Sequence, residues 1–191
     1  MAYRSELLKY EPDWRPVSTS WLDKPPACIR EWLQETGSLT RRLKLLCDGD
    51  FNVSVQYQRW ARPTLDERRM LDIRDSDFAV IREVLLRRRN DVLVVARTVI
   101  PRHMLVGRQR HLINLGTRPL GEVIFSEPRL KRSDLEIAAL KSASFQPDLV
   151  PATDNNTTIW GRRTCYIIHR KPILISEIFL PALFRYEGTR S

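Results

Sequence analysis

Three ionisable residues interrupt apolar runs in which a charge is out of place. Arg82 stands in Val80-Ile81-Arg82-Glu83-Val84-Leu85-Leu86, Arg97 in Val94-Val95-Ala96-Arg97-Thr98-Val99-Ile100, and Glu177 in Ile173-Leu174-Ile175-Ser176-Glu177-Ile178-Phe179-Leu180. In a strand, alternate residues share a face, so Arg82 goes with Val80, Val84 and Leu86, and Glu177 with Ile173, Ile175 and Phe179. Faces this apolar are buried, and a lone buried charge is costly, so each must be paired within the protein or kept for a ligand of opposite charge. Arg82 and Glu177 pairing with each other, or with Glu83 and Arg97, is one solution. The other is an anion pocket, in which the planar fork of Arg82 grips a carboxylate and Glu177 accepts a hydrogen bond from a hydroxyl or takes a proton.

Other chemistries find little support. The seven glycines fit neither G-x-G-x-x-G nor G-x-x-x-x-G-K, so no phosphate cradle can be drawn. Cys28, Cys47 and Cys165 lack C-x-x-C spacing, and His103, His111 and His169 are scattered, so no metal is implied. The N-terminus lacks a secretory apolar core, and a reducing, cytoplasmic setting is expected.

The charged strands need a scaffold. With 191 residues, 42% of them hydrophobic and 29% charged, the chain is large enough for one domain with its own core, and a single domain over 1–191 is expected. Pro12, Pro16, Pro25 and Pro26, with Trp14 and Trp21, make 1–25 an irregular arm. A helix follows from Ala27, with Gly37 as its stop, and Ser38 caps a second carrying Leu39, Leu43 and Leu46 on one face. Val53, Val55 and Tyr57 alternate as in a strand. Runs 78–86 and 92–100 form one hairpin across Arg87 to Asp91, and runs 163–168 and 173–180 a second across His169 to Pro172. Between them the pattern predicts a helix over 108–115, a short helix from Pro119 to Phe125 and a strand over 130–137. The segment 142–158 reads as a long loop. Hairpins with grouped helices give α+β, with a mostly antiparallel sheet.

Five ordered segments resemble the bacterial chorismate pyruvate-lyase family: 80–86, Ala96 to Pro101, Leu115-Gly116-Thr117-Arg118-Pro119-Leu120-Gly121, Trp160-Gly161-Arg162-Arg163-Thr164, and Pro172 to Pro181. The resemblance covers about Trp32 to Ala182. It implies a six-stranded antiparallel sheet with a product buried under helical flaps, no cofactor, and conversion of chorismate to 4-hydroxybenzoate and pyruvate for the ubiquinone ring. Carried over residue by residue, it makes Arg82 the anchor of the ring carboxylate, with the Leu120 backbone amide assisting, and puts Glu177 at the ring hydroxyl. It makes Leu39 a pocket wall where the family pattern tends to have methionine, a swap of apolar for apolar. Arg97 is either a binder of the second carboxylate or a structural partner of Glu83 and is left out of the site, Arg162 and Arg163 are read as strand-orienting, and a monomer is expected.

Two other classes compete. A net charge of +9 with Arg41-Arg42, Arg68-Arg69, 87–89 and 108–110 suggests nucleic acid. The clusters are dispersed and not interleaved with aromatics, so no specific nucleic-acid site is expected. A non-catalytic sensor of aromatic carboxylates, related in fold, is the alternative reading. Such sensors follow a helix-turn-helix, for which the 25 residues before the first helix are too short and too proline-rich.

Overall fold

The computed structural model describes residues 5–17, 25–146, 149–150 and 157–187. Apolar alternation builds a single eight-stranded antiparallel sheet. Its elements in chain order are β1 (Arg15–Pro16), α1 (Ala27–Leu33), α2 (Leu39–Cys47), β2 (Phe51–Ala61), α3 (Leu65–Leu71), β3 (Ala79–Arg88), β4 (Asp91–Pro101), α4 (Leu120–Ile124), β5 (Lys131–Arg132), β6 (Glu136–Lys141), β7 (Thr158–Ile168), β8 (Lys171–Phe179) and α5 (Pro181–Glu187). The strands run β1-β6-β7-β8-β4-β3-β2, with β5 also paired to β7. Six of them are long enough to carry a face, and the excess over the expected six is the two-residue pair β1 and β5.

Both hairpins form where the alternation puts them, and the central strands β3, β4, β7 and β8 are buried on both faces. One face lies under α1, α2, α4 and α5, with Trp32, Leu43, Phe179 and Leu183 in one cluster and Ile100, Leu120, Ile124 and Ile175 in another. The opposite face lies under α3 and the N-terminal arm, whose Leu7 and Leu8 pack on Leu85, Val95 and Ile178. At the edge of the sheet, β2 carries a bulge between Val55 and Tyr57, which breaks its alternation and leaves Val55 exposed.

Several sequence expectations need correction. The strand over 130–137 is two pieces, β5 and β6, separated at 133–135 and both paired with β7. Residues Gly107–Ile113 form a 3-10 helix, not an α-helix. The first helix ends at Leu33, four residues short of Gly37, with Gln34 at its C-cap. The arm contains β1, and Leu8 makes an isolated bridge to Phe145, so it is not wholly irregular. Of the 142–158 segment, Ser142–Ser144 form a 3-10 turn and Thr158 already belongs to β7, while 147–148 and 151–156 lie outside the described residues. Trp21 also lies outside them. No described helix is long and apolar enough to cross a membrane.

Candidate active site

Register decides which charges meet. Arg82 stands opposite Thr98, and Thr98 opposite Ile175, so these three cross β3, β4 and β8 in one row. The next row on the same face is Val84, Ala96, Glu177 and Arg162. Arg82 and Glu177 are thus two strands and two residues apart, about 12 Å between Cα atoms at ordinary strand spacing. They do not pair with each other. Instead they line one cavity together with Leu39, Thr40, Val53, Val84, Leu86, Leu120, Gly121, Phe125, Tyr166 and Ile175. All four residues expected in the site, Leu39, Arg82, Leu120 and Glu177, are brought to it.

The cavity is roofed by helices whose ends are fixed by local chemistry. Ser38 caps α2 by accepting from the Arg41 amide, which sets the angle at which Leu39 and Thr40 face the sheet. Gly121 at the start of α4 lies so close to α2 that a Cβ there would sit 2.9 Å from Thr40 Oγ1. The approach of α4 to the Thr40 side chain therefore depends on a residue without a Cβ at position 121.

Arg82 is 3% exposed and has no carboxylate partner among the described residues. Its Nη1 donates to Gln58 Oε1 at 2.6 Å, and its Nη2 to the carbonyls of Gly116 (2.7 Å) and Arg118 (3.5 Å). Neutral acceptors orient the fork without cancelling its charge. Burial lowers the Arg82 pKa from its ordinary value, yet an arginine stays charged in proteins. A cation held in this way is set up for an anion.

Glu177 is held differently. Arg162 Nε donates to Glu177 Oε2 at 2.6 Å, while Arg162 Nη1 reaches the carbonyls of Trp32 (2.9 Å), Leu33 (3.4 Å) and Glu35 (2.7 Å). Those carbonyls belong to the end of α1 and the turn after it, where helix geometry leaves them without intrahelical donors. One buried arginine thus fastens the roof to the carboxylate. The other oxygen, Oε1, has no donor among the described residues, and no buried side-chain oxygen or nitrogen lacks a partner, so Oε1 faces open space.

A model of the chorismate lyase family matches residues 13–189. The chain belongs to that family. A "Probable chorismate pyruvate-lyase" of Methylococcus capsulatus (strain ATCC 33009 / NCIMB 11132 / Bath) is 43% identical over 155 residues, covering 81% of this chain and 96% of the relative. One of Aromatoleum aromaticum (strain DSM 19018 / LMG 30748 / EbN1), with the same name, is 37% identical over 183 residues, covering 88% and 96%. Among solved structures, the ligand-binding domain of a putative GntR-family transcriptional regulator from Bordetella bronchiseptica aligns with a TM-score of 0.50 at 15% identity, covering 70% of this chain and 86% of that one. That likeness shows that this chain shares its fold with that ligand-binding domain.

Two features of this family member's site escape sequence reasoning. Arg162 sits in a cluster readable as strand-orienting, and its pairing with Glu177 depends on the β7–β8 register, in which the two stand opposite each other. Tyr166 is 6% exposed and lines the cavity with its ring edge-on to Phe125, the centroids 5.6 Å apart. Alternation from Arg162 through Thr164 puts Tyr166 on the same face and could have found it. Burial, and after it the Glu177 carboxylate, pushes the Tyr166 pKa up to about 12, so its hydroxyl keeps its proton near neutral pH. Arg97, by contrast, lies on the opposite face: it binds Glu83 Oε1 at 2.7 Å and Glu67 Oε1 at 2.7 Å, as a structural partner.

Proposed function

We propose that this pocket cleaves chorismate to 4-hydroxybenzoate and pyruvate, supplying the ring of ubiquinone. The observation that carries this reading is the buried Arg82, oriented by neutral acceptors and unmatched by a protein carboxylate, in one cavity with the free oxygen of Glu177. Chorismate offers a ring carboxylate to the first and a ring hydroxyl to the second. In the reaction the bond between the ring carbon and the enolpyruvyl oxygen breaks, and the hydroxyl-bearing carbon loses its proton. The enolpyruvyl methylene gains a proton, and the ring becomes aromatic. Aromatisation provides the driving force, so the protein's work is to orient the substrate and to stabilise charge on the departing oxygen. Arg82 and the Leu120 amide hold the carboxylate, Leu39 walls the ring, and Glu177 orients the hydroxyl. The proton leaves either to Glu177 or directly to the enolpyruvyl methylene.

Incubating the purified protein with chorismate and following 4-hydroxybenzoate absorbance tests the reading. Product should form without added metal or nucleotide; folded protein that binds 4-hydroxybenzoate but yields none from chorismate would favour the sensor alternative. Glu177→Gln still accepts a hydrogen bond and cannot take a proton, so near-parental turnover in that variant would assign Glu177 to orientation alone. Benzoate, which lacks the hydroxyl, should bind more weakly than 4-hydroxybenzoate by about 1 to 3 kcal/mol, because Glu177 Oε1 is left without a donor in the closed pocket. Equal affinities by calorimetry would remove Glu177 from the ring hydroxyl.

The basic surface is read as non-specific. Arg42 lies over the Trp32 ring at 3.7 Å and bonds Glu187, Arg68 bonds Asp75, and Arg89 bonds Asp50, so members of the clusters are engaged within the protein. Any DNA or RNA binding should fall steeply between 50 and 200 mM salt, on the order of the counterion-release slope. A sequence-selective mobility shift that survives physiological salt would contradict this.

A further inference from the structure

Resting on the chorismate reading, we infer that the Tyr166 hydroxyl donates a hydrogen bond to the enolpyruvyl carboxylate and so selects the intact substrate over the product. The argument begins with an unmatched group. The Tyr166 hydroxyl makes no hydrogen bond to any described residue, although the residue is nine-tenths buried. No buried side-chain oxygen among the described residues lacks a partner, so the hydroxyl opens into space, and the space its residue lines is the cavity of Arg82 and Glu177. A buried tyrosine ordinarily finds a partner for its hydroxyl.

The two flanks of the cavity differ in polarity. A ring strung from Arg82 to Glu177 has Val53, Val84 and Leu86 along one side, all apolar. The other side, toward β7, has Tyr166 with Phe125 and Ile124. Chorismate carries its enolpyruvyl carboxylate on the ring carbon beside the hydroxyl-bearing one, so that group must lie along one flank or the other. Set against the valines, the carboxylate would be buried without a donor, which is costly. Set toward β7 it meets a hydroxyl that keeps its proton, with Arg132 near enough to favour negative charge there. The other neutral donors of the cavity are placed elsewhere: Thr98 stands directly across from Arg82, and Thr40 is on the roof against Gly121.

The product has no enolpyruvyl group, and this gives the test its discriminating power. Tyr166→Phe keeps the ring against Phe125 and deletes only the hydroxyl. Its kcat/KM for chorismate should fall at least tenfold, while 4-hydroxybenzoate, titrated by calorimetry, should bind within twofold of the parent. A kcat/KM within twofold of the parent would overturn the inference. So would a loss of 4-hydroxybenzoate affinity as large as the loss of kcat/KM, since the hydroxyl would then serve the ring. A parent protein that forms no 4-hydroxybenzoate from chorismate would sink the lyase reading itself, and this inference with it, before any variant is compared.

Discussion

Arg82→Ala should abolish lyase turnover and weaken 4-hydroxybenzoate binding by about 2 to 5 kcal/mol, the scale for truncating one partner of a buried charged contact. The effect is large because the guanidinium is preset: Gln58 and the Gly116 carbonyl hold it, and no carboxylate among the described residues competes for its charge. Truncation removes the ligand's anchor and leaves three neutral acceptors, Gln58 Oε1 and the Gly116 and Arg118 carbonyls, without that donor, so fold stability should fall much less than affinity. Arg82→Lys should recover part of the binding, since it keeps the charge and loses the planar fork. Calorimetry against 4-hydroxybenzoate, with circular dichroism to verify folding, measures both. Parental affinity in folded Arg82→Ala would make Arg82 purely structural.

The second large effect belongs to the opposite face. Arg97 lies between Glu83, whose side chain is 0% exposed, and Glu67, at 7%. Glu83 also accepts from the Glu6 amide at 2.8 Å, and Glu67 closes the capping box of α3 with Thr64. Arg97→Ala would strand two buried carboxylates and should cost about 3 to 5 kcal/mol in urea denaturation. Replacing Glu67, Glu83 and Arg97 together with apolar residues of similar volume should cost far less, because no buried charge is then left alone. A loss below about 1 kcal/mol for Arg97→Ala would mean that water reaches the cluster. Protein that remains folded should keep its chorismate affinity, since Arg97 faces away from the cavity.

Much of this arrangement was legible from alternation. An arginine or glutamate inside an apolar run identifies its own face, and Arg82 and Glu177 were readable for that reason. Partners across strands were not, because pairing needs register: Arg162 opposite Glu177 follows from the β7–β8 hairpin, and Arg97 with Glu67 from the docking of α3. The seven residues of α3 are too few to show a repeating apolar face, and only the capping-box spacing of Thr64-Leu65-Asp66-Glu67 marks it in the sequence. The 3-10 conformation of Gly107–Ile113 has no clear signature either, as its apolar spacing suits both helix types. Bulge and edge effects hid the true exposure of Val55, because alternation assumes an uninterrupted ladder.

In β3, neighbouring residues serve opposite sides of the sheet: Arg82 opens to the cavity and Glu83 to the arm. A single inserted or deleted residue upstream in that strand would exchange them, turning a cationic pocket into an anionic one and pushing an arginine toward the Arg97 cluster. The stretch from Ala79 to Glu83 should therefore tolerate substitution at its aliphatic positions but no change in residue count, whereas the connections are not bound by the pleat in this way.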